Sequence, residues 1–339
     1  MTAPLTVLES FPAPRPTSVN PYTLLLAESI RGAGANLVYF SWRDALFGRY
    51  DVFHVHWPEI LVEGRTPLRR LVRQALTVLL VARLAVTRRP LVRTVHNLGL
   101  PAGLSALQRG ILALIDRRTA LRIRLNEHTP VDGPFATIPH ADFRSWFASY
   151  RPSAVVTGQI GYVGRIRRYK GVESLLEAFA ASRVLAGGGA GEQLSARIVG
   201  YASTTELEST LLGLAGDDEN ITIEFGFVAD ARIVEVVTSS ELVVLPYRVM
   251  HNSSAAITAL SLGRPVLVPD NEVTRDLAAE MGPGWVHTFE GELSGEALVA
   301  ALDSVRAHPP AEPPRMDARQ WPHSGAAHVA AFRTSLGRA

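Results

Sequence analysis

The sequence predicts an α/β protein built from two doubly wound, Rossmann-like domains, and three observations support this prediction. Short apolar segments alternate with amphipathic helical segments along the chain, which is typical of parallel sheets covered by helices on both faces. The length of 339 residues is enough for about two domains. The charge changes sign near residue 150, because residues 1–150 hold 18 arginines and 10 acids, whereas residues 151–339 hold 16 basic residues and 22 acids.

The first predicted domain covers residues 1–150. Apolar runs bounded by turn residues predict strands at 5–8, 36–40, 51–56, 91–95, 122–125 and 137–138. Apolar residues at helical spacing predict helices at 21–31, 68–86 and 104–119.

The second predicted domain covers residues 151–318 and repeats the alternation. Its strands are expected at 159–163, 196–199, 221–225, 242–245, 266–268 and 286–288. Its helices are expected at 172–181, 205–214, 231–238, 254–262, 273–279 and 295–306. The glycine-rich segment 186–191 is expected to be a flexible surface loop. Residues 319–339 are expected to form a C-terminal helix that can pack back on the N-terminal domain.

The composition excludes several classes of protein. An apolar fraction of 47% and a charged fraction of 19% differ from those of disordered chains. The sequence contains no cysteine, which excludes disulfide scaffolds and thiolate zinc sites and favours a cytoplasmic location. The N-terminal residues lack the pattern of a signal peptide, and no run of about 18 apolar residues predicts a membrane span. Residues 11–16 are rich in proline where a dinucleotide-binding protein has a glycine-rich loop, which counts against NAD or FAD.

The region from Arg65 to Arg93 carries much of the positive charge and surrounds the apolar stretch 76–82. An apolar stripe with an arginine rim can lie on an anionic membrane surface, so one expectation is a peripheral position at the inner face of the membrane. The other expectation is an ordinary packed helix with a solvated basic side. Nucleic acid is not expected as a partner, because the arginines are not interleaved with aromatic residues.

The chain has 33 arginines but a single lysine, Lys170. Lys170 lies with Gly164 and Arg165 between the predicted strand 159–163 and the helix that follows, where N–H groups at a helix start favour anions. A lysine supplies a point charge, whereas an arginine supplies a planar fork. We interpret this segment as half of a diphosphate clamp, with a solvated basic loop as the alternative.

Polar residues also follow other predicted strands, at the edge of a parallel sheet where ligands bind. The period of two places His54 and His56 on one face of the strand 51–56. We expect one of them to pack against the sheet and His56 to line a cleft, and a metal site would need a clustered third ligand. His96 follows the next strand and can bond to a sugar hydroxyl, or it is a structural histidine bonded to backbone.

Two further segments could contact a nucleotide. Asn252 or Ser253 can cap the helix 254–262, and its remaining N–H groups with the Ser254 hydroxyl can bind an anion. A plain cap is the alternative, and the two are compatible. Phe227 and Val228 follow the strand 221–225 and could offer a ring edge and backbone groups to a base, or they pack in the core.

These segments resemble the GT-B glycosyltransferases, most closely the retaining glycosyltransferase family 4 and its exopolysaccharide-synthesis relatives. Residues 164–171 match the family's Gly-Arg…Lys-Gly loop, and residues 94–97 look like its Thr-Val-His-Asp segment. Residues 259–266 are similar to its segment that ends in Gly, Pro and Val. The resemblance implies an N-terminal acceptor domain and a donor-binding domain that face each other across a cleft.

The resemblance also implies that Arg165 and Lys170 hold the donor diphosphate and that His96 contacts the transferred sugar. Together with the residues considered above, the candidates are His96 as the catalytic residue; Gly164, Arg165, Lys170, Phe227, Val228, Asn252, Ser253 and Ser254 for the donor; and Asn20, His56 and Glu59 for the acceptor. No metal or cofactor is expected, because two cationic contacts can replace magnesium on a diphosphate.

The chain departs from the family pattern where two glutamates bind the donor sugar and the ribose, since Met250 and Thr258 stand there. The family's N-terminal Gly-Gly loop is replaced by residues 18–21, which include Asn20. The sequence therefore does not decide whether the configuration at the anomeric carbon is retained or inverted. Inversion would require a carboxylate base, and Glu59 and Asp142 lie near predicted strand ends.

The sequence thus predicts a metal-independent glycosyltransferase. It would move a sugar from a nucleoside diphosphate sugar, GDP-mannose or a UDP-sugar, to a hydroxyl of a glycan, glycolipid or lipid-linked acceptor. A sugar-nucleotide epimerase of the same fold and a noncatalytic nucleotide- or glycan-binding protein are the alternatives.

Overall fold

The computed structural model describes residues 4–14, 20–101, 103–185 and 194–337, and the loop expected at 186–191 lies outside these ranges. The chain divides into unit 1, which is Met1–Ala141 with Ala318–Ala339, and unit 2, which is Asp142–Asp317. Each unit holds a six-stranded sheet whose paired strands are parallel. The predicted fold class, two doubly wound α/β domains, is therefore confirmed.

Unit 1 is built around one sheet with helices packed against it. The strands are β1 Thr6–Glu9, β2 Asn36–Val38, β3 Val52–Val55, β4 Leu91–Val95, β5 Thr119–Arg124 and β6 Phe135–Thr137. The helices are α1 Pro21–Gly32, α2 Trp42–Phe47, α3 Glu59–Val62, α4 Pro67–Val86, α5 Ala106–Arg117 and, from the C-terminal segment, α13 Trp321–Leu336. The strand order is β2-β1-β3-β4-β5-β6, so β1, β3 and β4 are neighbours.

Unit 2 repeats this architecture. The strands are β7 Gln159–Val163, β8 Ser195–Gly200, β9 Ile221–Phe225, β10 Leu242–Val244, β11 Val266–Pro269 and β12 Val286–Phe289. The helices are α6 Arg144–Phe147, α7 Val172–Leu185, α8 Thr205–Ala215, α9 Asp230–Ser239, α10 Ser254–Ser261, α11 Glu272–Met281 and α12 Gly295–Ala307. The strand order is β12-β11-β10-β7-β8-β9. None of the helices in the described parts of the chain combines the length and the apolar character that crossing a membrane requires.

The last helix of the chain, α13, belongs to the core of unit 1. It packs on α1 so closely that a Cβ atom at Gly325 would lie 2.2 Å from the carbonyl oxygen of Ser29. The ring of Phe332 is fully buried, and its centroid lies 5.0 Å from that of His54 on β3. Helix α13 therefore covers the face of the sheet on which the polar residues described below lie.

The structure differs from the predicted elements mainly at their ends. Helix α5 begins at Ala106 rather than 104, because Ser105 and Gln108 form a reciprocal capping box. The short helices α2, α3 and α6 were not predicted from the apolar periodicity. The unit boundary falls after Ala141 rather than at residue 150, because the Phe143 N–H donates to Ser261 Oγ and Trp146 Nε1 donates to Asp230 Oδ2, which ties residues 142–150 to unit 2.

Candidate active site

A buried polar cluster lies at the carboxyl ends of three neighbouring strands of unit 1. Glu9 ends β1 in register with His54 on β3, and its Oε1 lies 2.9 Å from His54 Nδ1. His54 Nε2 in turn lies 2.8 Å from Oγ1 of Thr94 on β4. All three residues are fully buried, so each polar group depends on the others for its hydrogen bonds.

The cluster continues into the residues that follow β3 and β4. His56 Nε2 lies 3.2 Å from Glu9 Oε2, and His56 Nδ1 lies 3.0 Å from His96 Nε2. The ring of Trp57 stacks on that of His96 at 4.6 Å, and the ring of Tyr22 meets it edge-on at 5.5 Å. His96 is partly exposed, whereas the side chain of His56 is fully buried. His56 was expected to line a cleft; it instead supports His96 from the buried side.

Burial and neighbouring charge set the protonation of this cluster. Burial alone would raise the pKa of Glu9, but the attraction to His54, the hydrogen bond with His54 and the close contact with His56 lower it to about 2. Burial and repulsion by His54 lower the pKa of His56 to about 4. Burial and the neighbouring histidines hold the pKa of His96 well below its usual value. Near neutral pH, Glu9 is therefore ionised while His56 and His96 are neutral.

Glu9, His54 and His56 also bring three potential metal-ligand atoms within 4.8 Å of one another. The sequence analysis found the two histidines but missed Glu9, because it ends a strand of otherwise apolar residues. Each of these atoms faces another member of the cluster at 2.9 or 3.2 Å. The contact between Glu9 Oε1 and His54 Nδ1 is a hydrogen bond, whereas Glu9 Oε2 and His56 Nε2 face each other at 3.2 Å without hydrogen-bond geometry.

The other candidates for the acceptor lie around this cluster. Asn20 caps α1, and its Oδ1 accepts from the N–H of Tyr22 at 3.1 Å. Glu59 begins α3, where burial raises its pKa although Arg93 opposes this effect. In unit 2, the nearly buried carboxylate of Asp142 pairs with Arg144 at 2.7 Å. Within unit 1, Glu59 shows no hydrogen bond to the histidine cluster among the described residues.

The loop that carries Lys170 in unit 2 is held by close backbone contacts. Gly164 follows β7 with φ +134°, and Gly171 has φ +65°. A Cβ atom at Gly171 would lie 2.1 Å from the carbonyl oxygen of Pro246, and one at Gly200 would lie 1.8 Å from that of Gly164. Glycine is required at these positions because a side chain would collide with backbone. The loop is thereby fixed against the ends of β8 and β10.

Lys170 is the centre of positive charge in this loop. Its ammonium donates to the hydroxyl of Tyr247 at 2.8 Å, and its side chain is half-buried. Burial, with repulsion by Arg167 and Arg165, lowers the pKa of Lys170 to about 8. Arg165 itself is exposed. An anion bound here would relieve the mutual repulsion of the three cations.

Tyr247 connects this loop to helix α10. Its hydroxyl also hydrogen-bonds to Ser253, whose Oγ caps α10 by accepting from the Ala256 N–H at 3.2 Å. The structure thus brings Lys170 and the start of α10 together, with Ser254 exposed as the first helical residue. The sequence analysis did not assign Tyr247; its position directly after an apolar strand was the available signal.

The remaining donor candidates follow β9 or directly precede the cap of α10. Phe227 follows β9 and Gly226 and is 88% exposed, so the alternative of core packing is wrong for it. Val228 beside it is half-buried. Asn252 precedes the cap residue of α10 and is half-buried. No hydrogen bond or ring contact between described residues joins Phe227 to Lys170.

Comparisons with known proteins indicate the family of the chain. Residues 156–318 match the family model described as glycosyl transferases group 1. The chain is 38% identical over 335 residues to a GDP-mannose:glycolipid 4-beta-D-mannosyltransferase of Xanthomonas campestris pv. campestris, covering 98% of this chain and 93% of that protein.

Solved structures share the fold at low identity. The catalytic domain of starch synthase IV from Arabidopsis thaliana, bound to ADP and acarbose, aligns with a TM-score of 0.64 at 11% identity and covers 99% of both chains. HepE of Anabaena, in complex with UDP and glucose, aligns with a TM-score of 0.57 at 15% identity and covers 98% of this chain and 97% of its own.

Proposed function

Because the chain belongs to the group 1 glycosyltransferases and has their GT-B fold, we propose that it transfers mannose from GDP-mannose to a hydroxyl of a glycolipid. The observation that carries this proposal is the 38% identity to the mannosyltransferase, which covers 98% of the chain and so extends through both units. Membership of the family makes the protein a glycosyltransferase. GDP-mannose as its donor and a glycolipid as its acceptor are our proposals.

The Lys170 loop of unit 2 is proposed to hold the donor diphosphate. Negative charge builds on the β-phosphate as the bond to the sugar breaks, and fixed cations stabilise this charge best in the transition state. Lys170 and Arg165 supply the cations, and the exposed start of α10 at Ser254 supplies N–H groups. These groups can perform the role that magnesium has in other transferases, and we propose a metal-independent reaction.

We further propose that the transfer inverts the anomeric carbon. GDP-mannose carries mannose in the α configuration, and the relative is named for a β-linked product. A single displacement achieves this change, because the acceptor oxygen attacks C1 from the face opposite the departing phosphate. Such a displacement requires a base for the acceptor hydroxyl proton.

The donor proposal predicts a selective thermal shift. GDP-mannose at about 100 times its Kd should stabilise the protein by about 2.7 kcal/mol through mass action. We expect a raised Tm with GDP-mannose and a smaller effect with UDP-glucose or ADP-glucose at the same concentration. Transfer of mannose to a lipid-linked oligosaccharide, assayed in EDTA, should accompany the shift.

Three outcomes would contradict the proposed function. A shift with UDP- or ADP-sugars but not with GDP-mannose would show that the donor is wrong. Donor turnover without any acceptor would favour the epimerase alternative. Tight binding of GDP-mannose with no transfer to any glycolipid would favour a noncatalytic protein.

An apolar face of unit 1 supports a peripheral position on the membrane. Helix α4 buries one face against the sheet and exposes a second apolar stripe, in which Leu71 is 58%, Leu79 57% and Val86 84% exposed. The region Arg65–Arg93 holds eight arginines and no acid. An open cavity of about 470 Å³ beside α3 and α4 is lined by three of them. We propose that this face lies on anionic lipid, where the glycolipid acceptor resides.

Vesicle binding tests this face. The protein should sediment with vesicles that contain phosphatidylglycerol, less with pure phosphatidylcholine, and less at high salt. Leu71→Glu combined with Leu79→Glu should weaken binding by about tenfold or more, because burial of one leucine is worth about 1.5–3 kcal/mol. Leu212→Glu on α8, a leucine that is 54% exposed, is the matched control. Equal binding of all variants to both vesicle types would refute a membrane role for α4.

A further inference from the structure

The chain of polar contacts Glu9–His56–His96 in unit 1 has a fixed direction. An ionised carboxylate can only accept hydrogen bonds, and the two histidines keep Glu9 ionised although burial opposes this. Glu9 Oε2 and His56 Nε2 lie 3.2 Å apart without hydrogen-bond geometry, and a negative oxygen this close repels a ring lone pair, so Nε2 is the protonated nitrogen of His56. The other ring nitrogen of neutral His56 then carries a lone pair.

The same argument extends to the outer histidine. His56 Nδ1 lies 3.0 Å from His96 Nε2, and because His56 Nδ1 has no proton, His96 Nε2 must donate. A neutral imidazole has one N–H, so the proton on Nε2 leaves Nδ1 of His96 unprotonated. Glu9 thus determines, through His56, which nitrogen of the partly exposed His96 is basic.

We propose that His96 Nδ1 is the base that accepts the proton of the glycolipid hydroxyl, and that Glu9 and His56 are positioning residues that fix the required tautomer. This inference rests on the proposed inverting mannosyl transfer. It differs from the sequence-based expectation of a carboxylate base, Glu59 or Asp142, because the contacts of the cluster make a ring nitrogen of His96 basic.

The step balances without another reactant. The hydroxyl O–H bond breaks, its proton passes to His96 Nδ1, and the oxygen forms the new bond to C1 of mannose. The bond from C1 to the β-phosphate breaks, and its electron pair leaves with GDP. The resulting imidazolium donates through Nε2 to His56, whose Nε2 lies 3.2 Å from the carboxylate of Glu9, so the negative charge of Glu9 stabilises the new positive charge.

The surroundings of the cluster favour the neutral state before the reaction. The rings of Trp57 and Tyr22 cover His96, and the branch from Glu9 through His54 to Thr94 lies on the other side of the carboxylate. The titratable groups around the cluster are Glu9 on β1, Tyr22 on α1, His54 and His56 at β3, His140 after β6, and His328 on α13. Arg319 acts on the cluster through His140.

Nitrogen-15 NMR of the histidine rings tests the inference in the wild-type protein. The signal of His96, assigned by its loss in His96→Gln, should show a protonated Nε2 and an unprotonated Nδ1 near neutral pH. A protonated Nδ1 would overturn the inference without any further variant.

Glu9→Gln tests the positioning role, because an amide can donate to His56 and reverse the direction of the chain. We expect His96 to shift toward the Nδ1–H tautomer and kcat to fall by about 10²- to 10⁴-fold, with little change in the KM for GDP-mannose. Thr94→Val is the matched control, since it interrupts the His54 branch and should leave the His96 tautomer unchanged.

The outcomes separate this inference from the proposed function. Absence of mannosyl transfer by the wild type refutes the function itself. Wild-type transfer with an unchanged kcat in Glu9→Gln, or a fall in kcat with an unchanged His96 tautomer, refutes the positioning role. If Glu9→Gln does not fold, His56→Phe removes the same connection and is judged by the same two measurements.

Discussion

Substitution of His96 by alanine is expected to reduce kcat by about 10²- to 10⁴-fold, the usual contribution of a general base. The KM for GDP-mannose should change little, because the proposed donor site lies in unit 2 whereas His96 is proposed to act on the acceptor hydroxyl. Steady-state kinetics with a lipid-linked acceptor measures both quantities. His308→Ala, which removes an exposed histidine of unit 2, is the control.

The pH dependence of the wild type gives an independent check of His96. A base must be unprotonated, and burial with the neighbouring histidines keeps the pKa of His96 well below its ordinary value. Transfer should therefore persist as the pH falls through about 6.5 and decline only when His96 takes up a proton. A lowered Tm in His96→Ala with unchanged kcat per folded molecule would instead show a structural histidine.

Substitution of Lys170 by alanine is the second large expected effect. The loss of a charge-assisted contact to the leaving diphosphate costs about 1.5–3 kcal/mol, or about ten- to a hundredfold in rate. Lys170→Arg should restore the charge without full activity, because the guanidinium fork does not fit the position of the ammonium beside Tyr247. Single-turnover rates at saturating donor distinguish the transition-state contribution from binding.

Arg168→Ala is the matched control in the same loop, because Arg168 pairs with the carboxylate of Glu206 at 2.8 Å. Donor affinity should also fall as the pH rises through about 8, since Lys170 then loses its proton in the free enzyme. Bound diphosphate stabilises the ammonium, so kcat should fall at a higher pH than kcat/KM. Wild-type turnover in Lys170→Ala would remove this contact from the mechanism.

The long regular elements were predictable because their patterns are local. The strands Gln159–Val163, Leu91–Val95 and Ile221–Phe225 agree with the structure at both ends, since each is an apolar run bounded by turn residues. Helices α3 and α6 span four residues each, which is too short to show a periodic pattern. The place of α13 in unit 1 depends on contacts with α1, which no local pattern encodes.

The candidate site shows the same limit. Lys170 stood out because it is the single lysine, and His96 because it follows a strand. Glu9 could not be recognised from the sequence, because its role depends on the pairing of β1 with β3, which places it beside His54. Similarly, Tyr247 acquires a role only because the tertiary structure brings the Lys170 loop and Ser253 to its hydroxyl.

The chain order has a consequence for biosynthesis. Unit 2 is an insertion between residue 141 and the final segment of unit 1, whose Phe332 and Trp321 are buried in the core. During translation, unit 2 is complete while unit 1 still lacks the helix that closes its core. The histidine cluster can therefore complete its packing only after Trp321–Leu336 has left the ribosome, and a truncation that removes this helix should leave unit 2 intact but unit 1 without part of its core.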